Sequence, residues 1–433
     1  MSASLSDSDN AAVLPVRWSG AALLLLSVIS LPIVVCMPLT SDTVLYDLQA
    51  QNILDGGVMY RDILEPNLPG AVWIHLLIRS IAGWSSEMMR SADLLIVAAA
   101  CLILARFIHT GSARDPSELN NGLPVRRFAA GTSCGLLALA AFYLSRNEWC
   151  HCQRDSWMLL PVALAASMRI TSQWHAQKTG NAMVRLRAIG EGLCWGAAFW
   201  IKPHVALTAI AVFSTDVWIQ SDRRSELKRL LWVILGGMLA AVPGVAWMVH
   251  SGAWPHFWEM QLNWNPEYVA AARSRRSWQR VWSMLVHFHP WWIVHSLAIG
   301  RSLQVLYAVQ TSNSARKQHS ADQTQPHQLA THHRATALMS VIYLSWFSQA
   351  SLLQHSMDYI QVPPVMLGIV LVSMTGWTIP LPVRRMALAA FAVLALIVSP
   401  QLHPEKIMMW RSCFRSGNSP QLSEVLACVP LPD

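Results

Sequence analysis

Long apolar blocks alternate with short polar stretches along almost the whole chain. A first block covers residues 18–38, and others follow at 91–109, 128–144, 156–172, 190–219, 230–249, 291–310, 335–352, 362–380 and 386–402. Crossing a hydrocarbon core of about 30 Å takes roughly 20 helical residues, and in that solvent only helices and closed barrels satisfy their own backbone. The pattern therefore predicts an all-α polytopic integral membrane protein, a bundle of about ten or eleven transmembrane helices forming one domain over residues 1–433.

The block at 190–219 is too long for one comfortable span and is interrupted by Lys202, Pro203 and His204, which predicts two short helices instead. Basic residues support the division. Arg114, Arg126 and Arg127, then Lys178, Arg185 and Arg187, then Arg223, Arg224, Lys228 and Arg229, then Arg316 and Lys317, and finally Arg384 and Arg385 fall in alternate loops. Because cytoplasmic loops are enriched in Lys and Arg, these loops are inner ones, and only the split block keeps all of them on one side. The first block, preceded by Arg17, exceeds a signal-peptide core of about 7–15 residues and no A-x-A site follows it. It is expected to be retained as a span with its N-terminus inside, and residues 403–433 to form a short extracytoplasmic tail.

Residues 39–90 form the longest of the early outer segments. Residues 44–54 have helical apolar spacing that stops at Gly56 and Gly57. Residues 69–84 are apolar on one face, with His75 and Arg79 interrupting it, and suit a helix lying at the membrane interface.

Composition agrees with this picture. The chain is 53% hydrophobic and 13% charged, where soluble domains average roughly 25% charged. A net charge of +8 would suggest nucleic acid if it were concentrated, but its distribution over alternate loops reads as an orientation signal, so no nucleic acid partner is expected. No Gly-rich phosphate loop leads into a helix, so no nucleotide site is expected either. Of eight cysteines, Cys413 and Cys428 lie in the outer tail, where an oxidising compartment would permit a bridge. Cys150 and Cys152 flank His151, too close together to ligate one tetrahedral zinc unaided, and no metal site is expected there.

Inner loops are basic filler, while outer loops mix carboxylates with Tyr, Trp, His and Pro. The first outer segment is the richest: it holds Asp42, Tyr46, Asp47, Asp55, Tyr60, Arg61, Asp62, Glu65, Asn67 and Pro69. Asp42 follows the first span directly, at the depth of a lipid phosphate, where a general base would meet an acceptor; with Ser41 and Thr43 beside it, it equally suits a helix N-cap. Lys202 reads either as a snorkelling lysine or as a functional ionisable group. Arg146, Glu148, His151, Arg154 and Asp155 read first as a solvated turn. Arg273, Arg275, Arg276 and Arg280 run against the positive-inside trend and suit a lipid phosphate or anionic headgroups equally. Trp254, Trp258, Trp264, Trp278, Trp291 and Trp292 read as an aromatic belt rather than a sugar platform.

One run stands out: Asp42-x-x-x-Tyr46, then Ala50, Ile53 and Leu54, then Asp55-Gly56-Gly57-Val58-Met59-Tyr60-Arg61-Asp62, then Asn67-x-Pro69. It resembles the first outer loop of C-type (GT-C) glycosyltransferases, the polytopic enzymes of the protein O-mannosyltransferase and aminoarabinose-transferase kind that take sugars from polyprenyl phosphate carriers. Residues 192–203 resemble that family's Gly-rich helix ending in Lys-Pro. Asn265-Pro266-Glu267-Tyr268 resembles its middle outer loop, and Gln354, His355, Asp358, Tyr359 and Pro363 its late one. Two positions depart from the pattern: Thr43 stands where many relatives carry a second acid, and Gln361 where a His is expected.

The resemblance implies a GT-C-type bundle with interfacial helices in the first outer loop, in the bacterial inner membrane with its active face extracytoplasmic. It implies transfer of a sugar, with inversion, from a polyprenyl-phosphate donor to an extracytoplasmic lipid, glycan or protein. Asp42 would be the catalytic base; Lys202, Arg273 and Arg276 would bind the donor phosphate; and Tyr46, Asp47, Tyr60, Arg61, Asp62, Glu65, Asn67, His355, Asp358 and Tyr359 would bind substrate. Membrane lipids are the other expected partners. No cofactor is required, and the need for a divalent cation stays open. The rival readings are a transporter or flippase of envelope lipids, for which a repeated pair of broken helices is missing, and a non-catalytic membrane subunit.

Overall fold

A computed structural model of the chain describes residues 24–112, 124–175, 181–219, 223–274, 277–318, 327–354 and 357–374, with isolated positions at 18, 21, 22, 390 and 393. Among these residues the structure is helical, with no strand. In chain order the helices are α1 (Leu24–Val35), α2 (Ser41–Leu54), α3 (Gly70–Ala82), α4 (Ser86–Ser112), α5 (Pro124–Leu144), α6 (Arg154–His175), α7 (Asn181–Ile201), α8 (Val205–Ile219) and α9 (Arg223–His250). The second part comprises α10 (Ala253–Glu259), α11 (Asn265–Ser274), α12 (Trp278–His287), α13 (Trp292–Gln318), α14 (His327–Leu352) and α15 (Val362–Ser373). A π-helical turn over Met260–Trp264 joins α10 to α11, and short 3-10 turns occupy Glu148–Cys150 and Asp358–Gln361.

The break at Lys202 falls where the sequence places it, between Ile201 and Val205. The limb before it is not short, however. α7 has 21 residues and starts at Asn181, because Arg185 and Arg187 continue the helix below the apolar block instead of ending it. Hydropathy marks where a helix is apolar, and the helix itself runs on through charged residues of good helical propensity.

Among the described residues, which leave out most of the expected span at 386–402 and all of the tail at 403–433, two helices are long and apolar enough to cross a membrane, over Ser86–Ile108 and Arg224–His250. Shorter apolar segments cover Leu24–Val35, Gly70–Ala82, Thr132–Leu144, Val205–Val217 and Asp358–Ser373. This is far fewer than the expected ten or eleven spans, because ionisable residues interrupt several longer helices: Arg169 in α6, Glu191 in α7 and Arg301 in α13.

Long-range hydrogen bonds gather alternate connections at one end of the bundle. Arg90, at the start of α4, donates to the Met37 carbonyl (3.3 Å), to the Glu148 carbonyl (3.5 Å) and to that of Pro38. Lys202 reaches Asp155 and Gln354, and Gln261 reaches the Pro66 carbonyl (2.9 Å). A second apolar cluster seats these segments on the bundle: Tyr46, Ala50, Met59, Tyr60, Ala71, Val72, Trp200, Met248 and Phe257 are buried together, apart from the main core. At the opposite end Glu191 of α7 accepts from Arg169 of α6 (2.7 Å) and from Arg229 of α9, and Arg169 also reaches Asp216 of α8.

α7 and α9 approach each other closely. A Cβ on Gly192 would run into the Val233 carbonyl, and one on Gly236 into the Ile189 carbonyl. Only glycine permits this approach, and small residues at such positions drive helix association within membranes. The opposite face of α9 turns outward and is apolar: Leu231 is 65% exposed, Met238 59% and Val242 63%.

Candidate functional site

α2 and α3 cross the end of the bundle and are pinned to each other by Asp47. Its carboxylate accepts from Arg79 Nε (2.8 Å) and Nη2 and lies 2.8 Å from His75 Nδ1. Arg79 also donates to the Gly83 (3.1 Å) and Ser85 (2.7 Å) carbonyls, which closes the turn into α4. Burial holds His75 below its ordinary pKa despite Asp47, so a neutral ring donates from Nδ1. Asp47, expected to bind substrate, is thus engaged on both oxygens inside the protein. His75 and Arg79 do not interrupt an apolar face; they are its buried polar lock.

Other residues of the first loop also serve its own shape. Tyr60, in the left-handed region at φ 68°, donates its hydroxyl to the Asn67 carbonyl (2.9 Å) and packs its ring 5.4 Å from Phe257. Buried Glu65 accepts from Gln49 Nε2 (3.1 Å) and from the Asn67 amide (2.8 Å). Arg61 and Asp62 pair with each other at the surface (2.7 Å), and the hydrogen bonds from Arg61 pull the Asp62 carboxyl down to about 2. Tyr60, Arg61, Asp62 and Glu65, expected to bind substrate, make these contacts within the loop that carries Asn67, and none of the four lines the cavity described next.

A cavity of about 400 Å³ opens where five separate stretches meet. The first loop contributes Asn67, the α7–α8 turn contributes Lys202 and His204, the arm after α9 contributes Gln261 and Tyr268, and the late loop contributes Gln354 and Tyr359. Arg154, the first residue of α6, also lines it, and its Nη1 is buried without a hydrogen-bond partner. Lys202 Nζ donates to Asp155 Oδ1 (2.7 Å) and to Gln354 Oε1, and an ammonium has a third N–H to give. Burial pulls the Lys202 pKa down to about 8, with Asp155 working the other way. Lys202 does not snorkel: it is 4% exposed and ion-paired. A π turn within the arm aims Gln261 at the first loop, and π turns recur at functional sites.

Asp42 lies in the first turn of α2, half-buried, beside the cavity rather than on its wall. The N-cap is Thr40, whose hydroxyl meets that of Thr43 (3.0 Å), so Asp42 is not the capping residue. Its charge is felt at Tyr46 and at Tyr359. Burial first, then the Asp155 and Asp42 charges, raises Tyr359 far above an ordinary phenol; burial above all does the same for Tyr46. Both therefore remain protonated hydroxyls within the electrostatic reach of Asp42.

The turn from Arg146 to Asp155 is not solvated. Arg146 is buried over the rings of Phe142 (5.3 Å) and Phe288 (5.1 Å), with Asp358 acting on it electrostatically. Asp358 thus sits on that side and does not line the cavity. His151 hydrogen-bonds the Arg146 carbonyl (3.0 Å) and lies 3.6 Å from Asp93, which also accepts from Tyr143 and Trp157 (2.7 Å). Trp291 is likewise no belt residue: it is fully buried, 5.0 Å from Phe142.

Arg154 and Gln261 are what sequence reasoning missed. A signal for Arg154 was present, since it is a positive charge on the outer side at the first turn of a span, the same anomaly that singled out Arg273. His355 and Arg276 lie outside the described residues, as do the side chain of Arg273 and the Cys413–Cys428 pair. Cys150 and Cys152 are buried, unbridged thiols. Among the described residues no group of three or more His, Cys, Asp or Glu is arranged to hold a metal ion. Comparison of the chain with family models, with curated proteins and with solved structures finds no match.

Proposed function

We propose that the protein is a polytopic membrane glycosyltransferase that moves a sugar from a polyprenyl-phosphate donor to an acceptor outside the cytoplasm. The membrane part of the reading rests on an inverted distribution of side chains. Arg90, Asp93, Asp155, Glu191 and Lys202 are buried, whereas α9 presents Leu231, Met238 and Val242 outward. Water disfavours an apolar face of that extent, and in lipid the ionisable residues are those that face a bundle interior.

The observation that carries the chemistry is the cavity, which combines the free Nη1 of the Arg154 guanidinium and a lysine N–H with the apolar side chains of Phe199, Leu353 and Val269. Such a pocket suits an anionic head on an apolar tail. In the proposed step a carboxylate oxygen of Asp42 takes the proton of the acceptor hydroxyl as its oxygen bonds to the anomeric carbon. The bond from that carbon to the phosphate oxygen breaks on the opposite face, giving inversion. The departing polyprenyl phosphate keeps the electron pair, and Lys202 and Arg154 stabilise its charge as it develops. Tyr359 and Asn67, on the cavity wall, would donate to substrate oxygens, with Tyr46 a further substrate candidate by resemblance; Arg273 and Arg276 remain phosphate candidates from their charge against the positive-inside trend.

Binding of a short-chain polyprenyl phosphate to the detergent-solubilised protein tests this. A hydrogen bond to a charged group contributes about 1.5–3 kcal/mol, so Arg154→Ala should bind the probe about 10–100-fold more weakly while keeping its thermal transition. Equal binding by Arg154→Ala and the parent removes the phosphate site from this cavity.

A further inference from the structure

The segment after the cavity arm contains a surface that neither the bundle nor the cavity uses. α12 is ten residues long, and its helical spacing sorts it into two faces. Trp278, Val281, Trp282 and Leu285 fall on one, bordered by Val286 and by Gln279 seven residues before it; Arg280 and Ser283 fall on the other. The apolar face is uncovered: Trp278 is 87% exposed, Trp282 68% and Val286 58%. The helix is properly started, since Ser277 Oγ accepts from the Arg280 amide (3.3 Å). It is thus a formed helix holding two large indoles away from the protein.

We propose that α12 lies in the headgroup layer of the outer leaflet, with Trp278, Trp282, Leu285 and Val286 facing the acyl chains, and that this docking fixes the cavity at headgroup depth. The proposal rests on the membrane reading above and commits to lipid as the occupant for three reasons. Indoles favour that boundary, where one end of the ring is apolar and the other wet. The uncovered face continues along the chain into the outward side chains of Trp292, Ile293 and Leu297 at the start of α13, as one lipid-facing surface would. Arg273, Arg275, Arg276 and Arg280 bracket the start of α12, and polybasic stretches beside an apolar face draw anionic headgroups.

Docking has a consequence for the cavity. The arm that lines it with Gln261, Asn265, Tyr268 and Val269 is held by the first loop at one end, through Gln261 to Pro66 and Phe257 to Tyr60, and by α12 at the other. An anchored α12 places that wall where a lipid phosphate sits, so the ligand is taken sideways from the leaflet rather than from bulk water.

The test is site-directed spin labelling of the full chain in vesicles of three parts phosphatidylcholine to one part phosphatidylglycerol. Nitroxides are attached at Trp278→Cys, Arg280→Cys, Trp282→Cys, Ser283→Cys and Leu285→Cys, and the parent treated identically supplies the background. Expected is oxygen accessibility exceeding that of a water-soluble nickel complex at 278, 282 and 285, with the reverse at 280 and 283. High nickel accessibility at all five positions puts α12 in water and overturns the proposal; low accessibility to both reagents at all five means protein covers it and overturns it equally. Met238→Cys and Val242→Cys on α9 separate the two readings. If they report lipid while α12 reports water, only the docking fails; if they report water, the membrane reading falls with it.

Discussion

At neutral pH the Lys202 ammonium remains charged although it is buried, because Asp155 offsets part of the cost of burial and leaves its pKa at about 8. As pH rises through that value the folded protein loses this proton while an unfolded lysine, near 10.5, keeps it. Folding stability from this group therefore increases between about 8 and 10.5, whereas its charge toward a phosphate disappears over the same range. Donor KM should rise above pH about 8 in the parent, and Lys202→Arg should retain part of the activity without that alkaline limb, since Arg does not titrate there. Lys202→Met should weaken donor use more than membrane expression; equal loss of expression in both variants assigns Lys202 to folding. Asp42 can be tested as cleanly because Thr40, not Asp42, is the cap. Asp42→Asn should lower transfer by about 10²–10⁴-fold, as loss of a general base does, with little change in thermal stability. Among single residues, Lys202 and Asn67 were legible as positions of unusual chemistry. Asp47, Glu65 and Tyr60 were not legible as structural residues, because their partners His75, Gln49 and Asn67 are chosen by how loops fold back and not by spacing along one helix.

Helices were the most legible elements. Apolar blocks located α4, α5, α9 and α15, and the spacing before Gly56 and Gly57 located α2, since periodicity is a local property that tertiary contacts rarely reverse. Extents were less legible: α7 runs nine residues before its apolar block begins at Gly190, through Arg185 and Arg187. The contact of α7 with α9 was legible only as a cluster of glycines. Because Gly192 and Gly236 approach opposing carbonyls directly, Gly192→Leu should force the two helices apart, and overpacking of this kind costs about 1–3 kcal/mol. Thermal unfolding in detergent should show the loss, and an unchanged transition would mean the helices are not in contact there. Breaking the Asp47 lock should cost more. Arg79→Met leaves a buried carboxylate beside a neutral His75, and removal of one partner from a buried pair typically costs about 3–5 kcal/mol.

Across the whole molecule the polar chemistry divides between two ends. α9, at 28 residues, is about 42 Å long and separates the charged start at Arg223 from the cavity arm that begins after His250. Membrane-impermeant cysteine labelling in intact cells should therefore reach positions 263–268 and not positions 222–226; labelling of both from one side refutes the split at Lys202 and the topology built on it. The charge pattern yields the orientation that this labelling tests, since orientation depends on loops taken one at a time. The cavity was beyond it, as it forms only when the first loop, the Lys202 turn, the arm and the late loop close on one another. Sugar transfer at that cavity is the central claim, and mass analysis of envelope glycans and glycolipids measures it most directly. Cells lacking the gene should lose one glycosyl substituent, which the parent gene restores and the Asp42→Asn gene, expressed to the same level, does not. An unchanged glycan profile on deletion, or full restoration by Asp42→Asn, would contradict the account.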